Sequence, residues 1–322
     1  MQPPGHRTLA VLVSLAVCAT ACGQTLAELT QVLAAAESVD DAAVGYAGSK
    51  SDTYRAYERW RSLATTKQLR ELTSHASPNV RAYAVLALVA TEAQCDWKAL
   101  VLERLSDVAE VTRFEGCSRS KQKVGDVVFT TLRGRLSDDE LLDVAEVMLQ
   151  KNCPLYARED VLRTLRFRDG MLHVVRALAK GGDGPAAIAL ARYGLAPDVP
   201  ILVQHLQAGD PFDANTQFLA AAIHRDPQLL APLIALEGAA RKRIASDNPS
   251  RLRFWLQAVT AQRSAEAAEF LLRFLRATRP ADPFRENDLL DTFAAVLAEH
   301  PDEGAFRGVR EELAARKAAA RR

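Results

Sequence analysis

Five cysteines and six histidines are the residues in this chain best suited to nucleophilic or metal chemistry. The cysteines are Cys18, Cys22, Cys95, Cys117 and Cys153. A structural zinc site needs closely paired ligands, such as C-x-x-C or H-x-x-x-H. Neither spacing occurs, and the histidines are scattered from His6 to His300. Asp138-Asp139-Glu140 looks like an acidic catalytic cluster. It follows Ser137 directly, however, and acids at a helix start are explained by capping and the helix dipole. The glycine-rich run Lys180–Pro185 lacks the G-K-[ST] ending and the preceding strand of a phosphate loop. There is no G-x-S-x-G elbow and no identifiable Cys/His pair. No catalytic residue, metal site or cofactor is therefore expected. Basic residues collect late, at Arg241-Lys242-Arg243, Arg251, Arg253, Arg273, Arg276 and Arg279. They read either as a solvated helix face or as a groove for an acidic partner.

The elements that would position these groups are helices. Hydrophobic residues make up 48% of the chain and aromatics only 6%, a mixture that suits close helix-on-helix packing. Formal charge is +1, which supplies no global field for nucleic acid. Leu26, Leu29, Val32 and Leu33 fall on one side of a helix, and Tyr54, Tyr57, Trp60 and Leu63 recur at three-residue spacing in the next. Asp40 to Asp52 reads as a polar connector. Asp96 caps a helix carrying Leu100 and Val101. Cys117 falls in a loop, F-E-G-C-S, before a helix carrying Val124, Val128 and Leu132. Helical periodicity continues to about Leu313, and no segment shows sustained strand alternation.

The segment Ser74 to Ala90 stands out. Ser77 suits an N-cap and Pro78 the first helical position. Val80, Ala84, Ala87 and Leu88 then share a face. Ala157-Arg158, Val161 and Leu165 echo Val80-Arg81, Ala84 and Leu88. Arg81 and Arg158 are 77 positions apart, two units of about 38 residues, the period of two-helix repeats. The run V-R-x-x-A-x-x-A-L after Ser-Pro resembles the HEAT-repeat family, well in this one unit and in eroded copies elsewhere. The resemblance implies an all-α fold, an α-solenoid of stacked antiparallel helix pairs over residues 24–322, and the glycines near 181–184 suit an articulation within it. It also implies a structural role for Arg81, holding the turn between helices. The acid that usually partners this arginine, six residues earlier, is replaced by His75. Tyr83 lies off the apolar stripe, so it is expected on the exposed binding side or packed against the next repeat.

Stacked repeats would bring Cys95, past the end of one second helix, towards Cys117, on the approach to the next. A Cys95–Cys117 disulfide is therefore expected, with Cys117–Cys153 and three free thiols as the alternatives.

Residues 1–23 read as a targeting segment: Arg7, an apolar run from Leu9 to Val17, and the small residues Ala19-Thr20-Ala21 before Cys22. The apolar run is shorter than the roughly 20 residues of a spanning helix. A-T-A-C-G resembles a bacterial lipobox, which would lipidate Cys22 and tether the protein to a membrane. Cleavage after Gly23 by ordinary signal peptidase is the competing reading. Removing residues 1–21 takes away Arg7 and no acid, leaving a formal charge of zero. The expected function is non-catalytic binding of a protein or peptide partner, a scaffold in the periplasm or cell envelope. The alternative is a small-molecule or cofactor-handling protein of lyase type, with Cys153 as its groove thiol.

Overall fold

The computed structural model describes residues 24–208, 212, 215–246, 252–280, 282–301 and 304–320. The targeting segment, with Cys22, and Arg251 lie outside the described residues. The chain is mostly helical and divides into two compact units, with the boundary between Val144 and Ala145.

The first unit contains α1 (Leu26–Ala35), β1 (Val39–Val44), α2 (Asp52–Leu63), α3 (Thr66–Leu72), α4 (Pro78–Ala90), α5 (Trp97–Arg104), β2 (Glu110–Gly116), β3 (Ser118–Lys123) and α6 (Val124–Leu132). Helix α7 (Asp138–Gln150) runs across the boundary. Local signals start these helices. Thr25 with Glu28, and Ser137 with Glu140, form capping boxes, and Asp96 accepts the N–H of Ala99 at the start of α5. The backbone and hydroxyl bonds from Ser137 hold the Glu140 carboxyl below its ordinary value.

Helix α4 is the centre of this unit. Val80, Ala82, Tyr83, Ala84, Val85, Ala87 and Leu88 are all buried, because α1, α3, α6, β1 and β2 pack around it. Ser77 holds its N-cap position and Pro78 the first turn, as expected, but the Ser77 hydroxyl does not cap the helix. It donates instead to the Ala34 carbonyl.

A three-stranded sheet replaces two of the expected loops. β1 pairs parallel to β2, and β2 antiparallel to β3. The Asp40–Asp52 connector thus begins as a strand, and Cys117 sits in a hairpin turn. The expectation of helices throughout is corrected here. The strands went unseen because β3, S-R-S-K-Q-K, has no apolar residue to alternate, and β1 pairs with a segment about 70 positions away.

The second unit continues with α8 (Ala157–Thr164), α9 (Leu172–Lys180), α10 (Gly184–Ala191), α11 (Val199–Gln207), α12 (Thr216–Ile223), α13 (Leu230–Ala235), α14 (Glu237–Ser246), α15 (Arg253–Ala261), α16 (Ala265–Ala277), α17 (Pro283–Ala298) and α18 (Arg307–Ala320). Of residues 181–184, the first three form the turn between α9 and α10 and Gly184 opens α10. Ala186 to Ala191 are all buried, with α8, α9, α11 and α12 around them. Gly184 permits this closeness: a Cβ there would stand 2.5 Å from the Thr216 Oγ1 of α12. Trp255 anchors the later helices, edge-on to Phe270 and Phe274 and donating its Nε1–H to the Leu233 carbonyl at 2.9 Å.

Candidate functional site

The expected site residues fall in different places. Arg81 bridges two turns. Its Nε and Nη2 donate to Asp107 at 2.7 and 3.0 Å, and its Nη1 donates to the carbonyls of His75 and Ala76. The arginine thus takes main-chain oxygens from its own turn, where the sequence lacks an acid, and a carboxylate 26 positions later. A simpler arginine–aspartate link recurs in the second unit, made through Nη2. Arg158 donates to Asp183 at 2.6 Å, while the other Asp183 oxygen caps α10 through the Ala186 N–H. Arg176 pairs with the buried Asp198 at 2.6 and 3.0 Å.

Tyr83, offered as a binding residue, is a core residue. It is fully buried, stacks on Tyr57 with ring centroids 4.9 Å apart, and its hydroxyl accepts the backbone N–H of Asp40 at 2.7 Å. The sheet covers the helix face that the sequence left open. The Asp40 carboxylate in turn accepts the hydroxyls of Ser38 and Ser51. Burial pushes the Tyr83 hydroxyl above its ordinary pKa, and that of Tyr57 up to about 12.

The expected Cys95–Cys117 bridge is not formed: Cys95, Cys117 and Cys153 are all free thiols. The hairpin explains the difference, since it carries Cys117 out to an exposed turn rather than along a helix approach. Cys153 is buried and Cys95 half-buried, and burial raises both thiols. A raised thiol holds less of the nucleophilic thiolate, so Cys153 is poorly suited to a reactive role.

The late basic residues are largely neutralised by acids of their own or neighbouring helices. Arg253 pairs with Glu299, Arg276 with Glu312, and Arg241 with Glu237 while it lies over the Phe274 ring. Arg241, Arg279 and Arg285 do share a cavity of about 420 Å³, with Asp282 beside them. A second cavity of about 430 Å³ lies between α1 and α3, with His75 at its rim. The His75 Nδ1 is already used by the Ser77 N–H. Among the described residues no three His, Cys, Asp or Glu side chains are grouped to hold a metal ion.

The surface with the most distinctive chemistry is the hairpin that the sequence did not reveal. Gly116 takes φ +53° at the first position of a two-residue turn, closed by the pair Glu115 and Ser118. Positive φ at that position suits the type II′ turn, whose twist matches the strands it joins. Arg119 faces Phe114 across the strands, with its guanidinium 4.5 Å from the ring centroid. Lys121 faces Thr112 and Lys123 faces Glu110. Strand alternation therefore puts Arg119, Lys121 and Lys123 on one face. Ser118 to Lys121 are exposed. Beside this turn, the Gly45 N–H donates to the Gly116 carbonyl at 2.8 Å and holds the loop that carries the fully exposed Tyr46.

A scan against protein-family models, a search of curated proteins and a search of solved structures each gave no match.

Proposed function

We propose that this chain is an exported, non-catalytic binding protein of the bacterial envelope, built from stacked HEAT-like helix pairs. The observation that carries this reading is the repeated arginine. Arg81 and Arg158 each leave the start of one helix and reach an acid just past the end of the next, Asp107 between α5 and β2 and Asp183 between α9 and α10. Such links suit an architecture in which each repeat contacts its neighbours and leaves a long surface for partners. The buried runs of α4 and α10, each enclosed by helices on several sides, support the same arrangement.

Export rests on the targeting segment, with processing near Cys22 and a lipid tether there as one of the two maturation routes. Intact mass of envelope material separates lipidated Cys22 from cleavage after Gly23. Material retaining residues 1–21 would remove the export reading.

The binding reading is tested with a photo-crosslinking amino acid placed in cells at exposed positions, Tyr46 and Phe284 among them. Discrete protein adducts that depend on position are expected. A chain that forms none, yet carries a small-molecule adduct on Cys153, would favour a cofactor-handling role instead.

A further inference from the structure

We propose that the free edge of β3 takes up an extended acidic segment of a partner protein as a fourth strand. The inference rests on the protein-binding reading above and names the chemistry of the partner.

The backbone supplies the first half of the argument. β3 is an outer strand of the sheet, and among the described residues no strand pairs with its other edge. The closing pair of a two-residue turn is hydrogen-bonded, and pairs alternate from there in an antiparallel ladder. Glu115 and Ser118 close this turn, so Arg113–Ser120 and Val111–Gln122 are the bonded pairs. Arg119 and Lys121 therefore turn their N–H and C=O groups away from β2, towards the open edge. No proline and no break in register blunts the six paired positions.

The side chains supply the second half. Arg119, Lys121 and Lys123 recur on one face at about 6.8 Å, the repeat of alternate strand residues. The hairpin carries two acids against four cations. Glu115 is taken by Arg113, and Glu110 lies 3.6 Å from Lys121. Arg119 rests on the Phe114 ring and makes no ion pair among the described residues. An incoming strand with acids at alternate positions meets these cations directly, whereas a second copy of β3 would set cation against cation. The charges that discourage self-pairing thus select an acidic strand. Main-chain bonds would provide affinity and the alternating side chains specificity, the division of labour in strand addition.

The test uses the full chain and a fluorescein-labelled synthetic peptide of alternating Glu and Val, with alternating Lys and Val as control. Anisotropy should show binding of the acidic peptide only. The double variant Arg119→Glu/Lys121→Glu should weaken it at least about tenfold. Lys121→Gln and Lys121→Pro remove the same charge, but only the proline removes an outward N–H. The proline variant should therefore bind more weakly than the glutamine variant, with circular dichroism confirming that both fold. In the unsubstituted chain, hydrogen exchange at the Arg119 and Lys121 amides should slow when the acidic peptide is added. Equal affinity of the two Lys121 variants together with unprotected amides would overturn strand addition. So would equal binding of both peptides, or binding to phosphatidylglycerol vesicles without binding to the peptide. Loss of these signals while position-dependent adducts persist in cells would remove this inference and leave the binding reading standing.

Discussion

The Tyr83 hydroxyl accepts the backbone N–H of Asp40 at 2.7 Å, joining the central helix of the first unit to its first strand across 43 positions. Both groups are buried, so the bond satisfies a donor that water does not reach. Tyr83→Phe keeps the ring stacked on Tyr57 and removes the hydroxyl, which accepts from Asp40 and also donates to the Ser38 carbonyl at 3.5 Å. A loss of about 1–3 kcal/mol is expected, the cost of leaving such a donor unpaired. Urea denaturation measures it, and a variant as stable as the parent would show that the bond contributes nothing.

The paired side chains of Arg81 and Asp107 are only 12% and 13% exposed. Removing one partner strands a charge, so Arg81→Ala and Asp107→Ala should each destabilise the chain by about 3 kcal/mol. The double variant should lose much less than the sum of the two. Additive losses would mean that the two residues act independently.

Burial also gives stability a dependence on alkaline pH. The Tyr57 hydroxyl ionises near 10 when unfolded and at about 12 when folded. Between those values the folded state holds more protons than the unfolded one, so stability falls as pH rises. Its contribution is whole below about pH 10 and is lost as pH climbs towards 12. Denaturation midpoints at neutral, moderately alkaline and strongly alkaline pH should show this decline. Tyr57→Phe should flatten it in part, because Tyr83 is raised in the same direction.

Two glycines make separable demands. At Gly116 an added Cβ meets nothing within 4 Å, so Gly116→Ala carries only the cost of positive φ, about 1–2 kcal/mol. At Gly184 the backbone is unremarkable and the space is not: Gly184→Ala drives a methyl into Thr216. Adding Thr216→Ser, which deletes the methyl but keeps the hydroxyl at 2.5 Å, should rescue little, whereas Thr216→Ala should rescue more. Thermal melts of the two pairs distinguish these outcomes.

The thiols should report the hairpin directly. Cys117 is exposed and Cys153 buried with a raised thiol. Maleimide labelling of the native chain, followed by peptide mapping, should modify Cys117 well before Cys153. Similar rates for both would contradict this placement.

What the sequence determined by itself is the set of features encoded within one or two helical turns. Ser137 with Glu140, Asp96 before Trp97, and Pro78 behind Ser77 mark helix starts because their partners lie three or fewer residues away. The apolar stripe of Val80, Ala84 and Leu88 announced a buried helix for the same reason. The tertiary structure alone decided what approaches that helix from elsewhere. Tyr83 is a core residue because β1 and Tyr57 close over it, and nothing in its own segment carries that information. Asp107 serves Arg81 from beyond the next helix, whereas the arginine's own turn offers only His75 at the acid's usual position. The candidate binding edge was hidden most completely. A strand is stabilised by the neighbours it meets, and S-R-S-K-Q-K becomes one only because Glu110 to Glu115 lies across from it.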